Sequence, residues 1–185
     1  MTTTIAIDPG YGNKTFGCAC AMVVDASLVR AWFERSLIHE GVLNQIRKGL
    51  RVDAIVWEKP LHRERDEAFK GIPVSTLIEL ASAGSGLARE FAALSGAVVK
   101  SVYPHEWKGS SRKPSHHGRL WASLTSGERA LLGGDDTLDR INAAKRAGAL
   151  DRWARPGAHY YGTWQGHNLL DAAGIGKYEA KGITT

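Results

Sequence analysis

Two acidic residues each follow a short apolar segment of the chain. Asp8 comes after the segment 4–7, Thr-Ile-Ala-Ile, and Glu58 comes after the segment 54–57, Ala-Ile-Val-Trp. An apolar segment of this length that ends in turn signals, here a proline just beyond the acid, predicts a buried strand. If the two strands are parallel neighbours in one sheet, Asp8 and Glu58 lie side by side at one edge. Paired carboxylates in such a position suit a hard divalent cation such as Mg²⁺.

A third carboxylate, Asp171, lies in the segment 167–174, His-Asn-Leu-Leu-Asp-Ala-Ala-Gly. Because apolar residues flank it on both sides, we expect its helix to pack against the sheet. A carboxylate buried there needs a cation or a hydrogen-bond partner. Asn168 and His167 precede Asp171 by one helical turn, so both can lie on its face of the helix.

Each of these residues also has a purely structural interpretation. Asp8 could accept hydrogen bonds from turn amides, and Glu58 could be the exposed end of a strand. Asn168 and Asp171 could form a helix N-cap and its reciprocal partner, and His167 could be a surface or capping histidine. Without a functional site, all of these separate structural explanations must be true at once. A single fold that brings the three acids together explains them all. The pattern therefore favours a metal site.

The balance of charge suits a polyanionic partner, because the chain has a net charge of +5 at pH 7 and a pI of about 9.3. Positive charge is dense between residues 100 and 119, where Glu106 is the only acid. We expect a basic loop at 103–119, which is either a solvated face or a contact to a phosphate backbone. The residues of this loop expected to hold phosphates are Arg112, Arg119, His116 and His117.

A second basic segment, 59–73, follows Glu58 directly and has little apolar periodicity. An aromatic side chain in a basic loop can stack on an unpaired nucleic-acid base. Phe69 is the residue expected to do so here. Its basic neighbours, which are expected to contact the same nucleic acid, are Arg63, Arg65 and Lys70.

The elements that must position these residues follow from apolar periodicity. Strands are predicted at 4–8, 15–24, 28–35, 54–58 and 97–102. Helices are predicted at 40–50, 75–95, 135–153 and 167–178, with a capping box at Thr125–Glu128 that opens a further short helix. This order argues for an α/β fold with a five-stranded mixed sheet, in which strands 1–3 form an antiparallel meander and strands 4 and 5 run parallel to strand 1. Small residues at 81–86 predict close packing of the long helix, either on its own sheet or on a second copy of the chain.

Length and composition limit the class of protein. The 185 residues fit one domain spanning 1–185. No apolar segment is long enough to cross a membrane, and the N-terminus lacks the basic segment of a signal peptide, so we expect a cytoplasmic protein. Cys18 and Cys20 are too close in an extended strand to form a disulfide readily, so we expect them to be reduced, half-buried core residues.

Four segments together resemble the RuvC-like branch of the RNase H-like nucleases, in particular its phage and prophage Holliday-junction resolvases. They are IAIDPGYGNKTFGCA from residue 5, AIVWEKP from residue 54, the basic segment after the fifth strand, and HNLLDAAGIG from residue 167. The resemblance covers most of the chain and implies an RNase H-like nuclease domain. It also implies a crossover junction endodeoxyribonuclease, which hydrolyses phosphodiester bonds in branched DNA during recombination, repair or phage DNA debranching.

The resemblance implies which residues bind metal. Asp8, Glu58 and Asp171 would be the carboxylates that hold two Mg²⁺ or Mn²⁺ ions and act in catalysis. The family's fourth ligand position is Asn168 in this chain, with His167 beside it, and either residue could be the ligand.

The resemblance also implies which residues contact the scissile phosphate, how the protein assembles and where in the cell it acts. Lys108 would be catalytic beside the scissile phosphate, and Lys113 fits a DNA-binding position near it. The protein would act as a homodimer on four-way junctions, in the cytoplasm of a bacterium or a phage-infected cell. Two alternatives remain open: a nuclease of the same fold that acts on RNA–DNA hybrid or structured RNA, and a non-catalytic protein that binds branched DNA.

Overall fold

The computed structural model of the chain describes residues 1–9, 18–34, 40–60, 74–109, 113–134, 138–139, 142–143 and 163–181. Its strands are β1 (Thr3–Pro9), β2 (Cys18–Val24), β3 (Ser27–Glu34), β4 (Ala54–Glu58) and β5 (Val98–Val102). Its helices are α1 (Glu40–Arg47), α2 (Val74–Ser95), α3 (Pro104–Lys108), α4 (Lys113–Ala122), α5 (Ser126–Leu131) and α6 (Thr163–Ala180). The predicted helix at 135–153 lies mostly outside the described residues. No helix within the described ranges is both long enough and apolar enough to span a membrane.

The strands form one five-stranded sheet in the order β3-β2-β1-β4-β5. β1, β2 and β3 pair antiparallel, whereas β4 runs parallel to both β1 and β5. The predicted mixed sheet is therefore confirmed, with the strand order and directions of an RNase H-like sheet. The register pairs Ile7 with Trp57, so Asp8 and Glu58 are the next residues of two parallel neighbours.

The two faces of the sheet pack against different helices, because successive strand residues point to opposite sides. Ile5 and Ile7 belong to the core cluster that includes residues of α1 and α2. Ala6 and Val56 belong to the cluster on the other face, which includes residues of α6. Asp8 has the parity of Ala6, so its side chain is on the α6 face.

Glycines let both long helices approach the sheet closely. A Cβ on Gly176 of α6 would lie 2.7 Å from Cγ2 of Val23. A Cβ on Gly84 of α2 would lie 3.0 Å from the side chains of Pro9 and Trp57. Of the two interpretations of the small residues at 81–86, the packing of Gly84 on the chain's own sheet is the one that the structure supports.

The prediction of a basic loop at 103–119 was wrong for most of this segment. The segment instead forms α3 and the first part of α4. Pro104 occupies the first turn of α3, where its missing N–H costs nothing. His117 and Trp121 are one helical turn apart and both are buried, as on the inward face of an amphipathic helix. The charged residues of the segment concealed this periodicity.

Glu128 ties α5 to the sheet and to α6. Its side chain completes the predicted capping box with Thr125, accepts the backbone N–H of Leu28 at 2.8 Å and pairs with Nζ of Lys177 at 2.6 Å. Burial alone would raise the pKa of Glu128, but the hydrogen bonds from Lys177, Leu28 and Thr125 lower it to about 2. The buried carboxylate is therefore ionised and paired.

The two cysteines are free, as expected, but they are fully rather than half buried. Burial, with a smaller contribution from the charge of Asp8, raises the pKa of Cys18 to about 12. Burial likewise raises the pKa of Cys20. Both are therefore protonated core residues.

Candidate active site

Two carboxylates lie at the edge of the sheet where β1 and β4 end. Asp8 is buried there, and Glu58 is the last residue of β4. The indole N–H of Trp107 in α3 donates to Oε2 of Glu58 at 2.7 Å. Nζ of Lys108 lies 3.0 Å from the same oxygen. Successive residues of α3 therefore hold the Glu58 carboxylate in one orientation.

Asp171 of α6 is the most deeply buried acid of the site, with 1% of its surface exposed. Its Oδ1 lies 2.8 Å from Nε2 of His117. Its Oδ2 lies 3.8 Å from Nζ of Lys108. The helix α6 thus brings Asp171 to the same ammonium group that contacts Glu58.

Lys108 is the cation at the centre of these carboxylates. Its side chain is 14% exposed, as is that of Glu58. Burial alone would lower the pKa of Lys108, but the negative charges of Asp171, Glu58 and Asp8 outweigh burial and raise the pKa above its ordinary value. The ammonium group is therefore charged throughout the physiological range, and it compensates the charge of the acids.

His167 and Asn168 have different positions relative to Asp171. Nε2 of His167 lies 3.4 Å from Oδ2 of Asp171, whereas Oδ1 of Asn168 lies 3.0 Å from Nδ1 of His167. An amide oxygen only accepts hydrogen bonds, so Nδ1 donates this one, and in a neutral ring the Nε2 lone pair then points towards Asp171. Nδ2 of Asn168 is buried without a hydrogen-bond partner in the described part of the chain.

His167 and Asn168, which the sequence left as alternatives for the fourth ligand, therefore differ in the contacts they make. His167 presents a nitrogen lone pair beside a carboxylate oxygen, as a metal ligand does. Asn168 contacts the opposite nitrogen of the same ring and fixes its tautomer, which is the usual function of a residue behind a ligating histidine.

His117 is the site residue that the sequence analysis assigned wrongly. It was expected to hold a phosphate, but it is completely buried and its hydrogen bond is to Asp171. Its ring also contacts that of His167, with centroids 4.7 Å apart. The helical spacing of His117 and Trp121 was the only signal in the sequence for this burial.

Trp107 was also missed, because a tryptophan in a basic segment has no characteristic spacing. Its ring packs edge-on against His116, with centroids 4.9 Å apart. Burial, with further contributions from the positive charges nearby, lowers the pKa of His116 to about 4. His116 is therefore neutral at pH 7, so it can contact a phosphate as a hydrogen-bond partner but not as a cation.

The remaining predicted residues are only partly within the described chain. Arg119 is exposed on α4, and Lys113 is the first residue of that helix. The predicted DNA-binding residues that lie outside the described residues are Phe69, Arg63, Arg65, Lys70 and Arg112.

The donor set fits a divalent cation. Asp8, Glu58 and Asp171 supply carboxylate oxygens, which Mg²⁺ and Mn²⁺ prefer, and His167 supplies a nitrogen that Mn²⁺ also accepts. His167 and Asp171, together with His117, present ligand atoms that lie within 4.8 Å of one another. The Lys108 ammonium group lies between Glu58 and Asp171, so it must yield its position to any ion bound between these two acids.

The comparisons with known proteins found similar solved structures. No protein-family model and no curated protein matches the sequence. T. thermophilus RuvC in complex with a Holliday junction substrate has a TM-score of 0.48 and 14% identity, with 98% of this chain and 97% of that chain covered. The yeast mitochondrial Holliday junction resolvase Ydc2 has a TM-score of 0.40 and 14% identity, with 97% and 80% covered.

Proposed function

We propose that this chain is a metal-dependent endonuclease that hydrolyses phosphodiester bonds in branched DNA. One observation carries the proposal: Glu58 and Asp171, from distant parts of the sequence, meet around the Lys108 ammonium group, with Asp8 buried at the same sheet edge. Three acids gathered at one edge repel each other unless cations compensate them. A fold that stabilised only itself would gain more from apolar residues there.

The metal ligands in this proposal are Asp8, Glu58, Asp171 and His167. Divalent ions bound to them would acidify a water ligand and offset charge on the phosphate. Asn168 orients the imidazole of His167, and His117 orients the carboxylate of Asp171 through its Oδ1.

The chain's own cation and indole have separate functions in this reaction. Lys108, whose charge is maintained by the surrounding acids, stabilises the negative charge that develops on the phosphate in the transition state. Trp107 donates to Glu58 and so keeps that carboxylate directed towards the site. Both functions depend on α3, which brings the two residues to the end of β4.

Branched DNA is the proposed substrate on two grounds. The motifs around Asp8, Glu58 and Asp171 resemble those of phage and prophage junction resolvases, and the net charge of +5 suits a polyanion. Because the acids and Lys108 contact phosphate rather than sugar, RNA–DNA hybrid is the substrate that must be compared in the same assay.

The test is cleavage of a labelled four-way junction in Mg²⁺ or Mn²⁺, beside a linear duplex and an RNA–DNA hybrid of the same sequence. We expect cuts in the junction that chelation abolishes. Glu58→Gln and Asp171→Asn are expected to abolish cutting, whereas Glu79→Gln, which changes an exposed acid of α2, leaves it unchanged.

Three results would contradict the proposal in distinguishable ways. Faster cutting of the RNA–DNA hybrid than of the four-way junction would contradict the proposal that branched DNA is the substrate. Tight junction binding with no cutting in either metal would indicate a non-catalytic binding protein. Cutting that survives Glu58→Gln and Asp171→Asn would mean that the chemistry lies elsewhere.

The proposal includes a homodimer, because symmetrical resolution of a four-way junction needs two cuts. Val74 and Ile78, one turn apart on α2, are 59% and 61% exposed, and we infer that a second copy covers them. Ile78→Glu is then expected to convert the dimer to a monomer in light scattering. A wild-type monomer at the concentrations used for cleavage would contradict this part of the proposal.

A further inference from the structure

A cleft of about 220 Å³ lies between α4 and α6, directly beside the candidate active site. Ligand sites for whole cofactors or drug-sized molecules are larger, about 300–1,000 Å³. The cleft therefore suits a smaller group, such as one phosphate with part of a nucleotide. Most of the side chains that line it are aromatic or basic, and Leu120 is the aliphatic side chain among its described lining residues.

The charge of the cleft is positive. Arg119, Lys177 and Lys181 line it, and no acid is among the described residues of its lining. Lys177 pairs with the buried Glu128 at 2.6 Å. Arg119 and Lys181 have exposed side chains at the border of the cleft.

One polar atom of the cleft wall lacks a partner. Nε2 of His116 is buried and makes no hydrogen bond in the described part of the chain, and His116 lines the cleft. A buried polar atom without a hydrogen-bond partner destabilises the fold. A ligand group that hydrogen-bonds to this nitrogen would remove that destabilisation.

Trp107 connects the cleft to the site. Its ring lines the cleft, while its N–H donates to Glu58 at 2.7 Å. The ring is held tightly, because a Cβ on Gly174 of α6 would lie 2.6 Å from its Cζ3 atom. A group bound in the cleft is therefore separated from the catalytic carboxylate by a single rigid side chain.

We propose that this cleft holds one nucleotide of the bound strand, next to the nucleotide whose phosphate is cut. Arg119 and Lys181 bind its phosphate, His116 hydrogen-bonds to it, and Trp107 and Tyr178 contact its base or sugar. Aromatic surface beside cations is the combination that binds nucleic-acid strands without sequence preference. This inference rests on the proposed function and adds a substrate contact outside the metal ligands.

The test is binding of a fluorescent four-way junction across a salt series, in EDTA so that no cutting occurs. Each phosphate contact contributes a slope of about −0.9 in log K against log salt on duplex DNA, or about −0.7 on a single strand. Because both cations bind the same phosphate, Arg119→Gln with Lys181→Gln is expected to reduce the slope by about 0.7–0.9. The matched control is Arg47→Gln with Lys48→Gln, which removes the same charge at the exposed end of α1, on the opposite face of the sheet.

The outcomes separate this inference from the proposed function. A smaller slope in the cleft variant, with the control unchanged and the melting temperature of both retained, supports the cleft. Equal slopes in wild type and cleft variant overturn it, even if the junction is cut normally. Equal losses in both variants also overturn it, since they would reflect net charge alone. A wild type that neither binds nor cuts the junction overturns the proposed function and this inference together.

Discussion

Replacing Lys108 by methionine should have opposite effects on stability and on metal binding. The ammonium group lies 3.0 Å from Glu58 and 3.8 Å from Asp171. Methionine retains most of the side-chain volume but removes the charge. The acids then lose the cation that compensates them in the metal-free protein.

The size of the effect follows from these distances. At an effective dielectric constant of about 20, the two attractions amount to about 5.5 and about 4.4 kcal/mol. The desolvation of the lysine, which methionine avoids, offsets much of this sum. Removing one partner of a buried ion pair costs about 3–5 kcal/mol in general. We therefore expect a loss of about 3 kcal/mol, which lowers the melting temperature of a chain of this size by about 6–12 °C.

Metal binding should improve in the same variant. A divalent ion between Glu58 and Asp171 no longer has to displace an ammonium group, and each 1.4 kcal/mol of relief gives about a tenfold gain in affinity. We expect Mn²⁺ to bind about tenfold or more tightly by isothermal titration calorimetry. Mn²⁺ should also restore the lost melting temperature, because a ligand at about 100 times its Kd adds about 2.7 kcal/mol.

Two variants serve as controls for this experiment. Lys100→Met removes a partly exposed lysine that pairs with Glu179 on the surface and should cost about 1 kcal/mol or less without altering Mn²⁺ affinity. Lys108→Arg retains the charge and should behave more like the wild type. A Lys108→Met protein with unchanged or weaker Mn²⁺ affinity would show that the ammonium group does not compete with the metal ion, whatever the melting temperature of the variant.

Three further predictions, two of them with a control variant, concern the helices around the site. Gly176→Ala should destabilise the fold by about 1–3 kcal/mol in urea unfolding, because the new Cβ is 2.7 Å from a β2 side chain. Gly118→Ala, with open space around it, should be neutral or stabilising by up to about 1 kcal/mol. If Gly118→Ala destabilised the protein more than Gly176→Ala does, the close packing of α6 on the sheet would be contradicted. His117→Gln should weaken Mn²⁺ affinity about 10–100-fold, because the Asp171 carboxylate loses the contact that orients it. His105→Gln, which changes an exposed histidine, should leave the affinity unchanged. Equal Mn²⁺ affinities of His117→Gln and the wild type would show that His117 does not orient Asp171. Glu128 has a pKa of about 2, below its unfolded value of 4.5, so its stabilisation is complete above pH 4.5 and is lost as the pH falls towards 2. In acid unfolding, Glu128→Gln should flatten that part of the profile and cost about 1.5–3 kcal/mol at pH 7, and an unchanged profile would contradict the ion pair.

The sheet and the positions of its acids could be predicted because they depend on local periodicity. Strand alternation in 4–8 and 54–58 sets which side chains share a face. The helix between the third and fourth strands makes strand 4 parallel to strand 3, and therefore to strand 1 as well. Asp8 and Glu58 then have to emerge at one edge. The apolar residues around Asp171 likewise required its helix to pack on the sheet.

The other half of the site depends on contacts between distant segments, which periodicity does not encode. The basic residues of 100–119 suggested a loop, although His117 and Trp121 have the spacing of one face of a helix. His117 therefore looked like a phosphate ligand, whereas its burial depends on α6 being opposite. The choice between Asn168 and His167 required the direction of one imidazole ring, which only the folded chain defines.

The most direct measurement of the central claim is a crystal structure after soaking in Mn²⁺, with anomalous scattering used to locate the ions. We expect ion density bounded by the carboxylates of Asp8, Glu58 and Asp171, with Nε2 of His167 as a further ligand. We also expect the Lys108 ammonium group to leave its position between Glu58 and Asp171. A fully occupied Mn²⁺ site elsewhere on the chain, with these three acids still closed around Lys108, would contradict the proposed metal site.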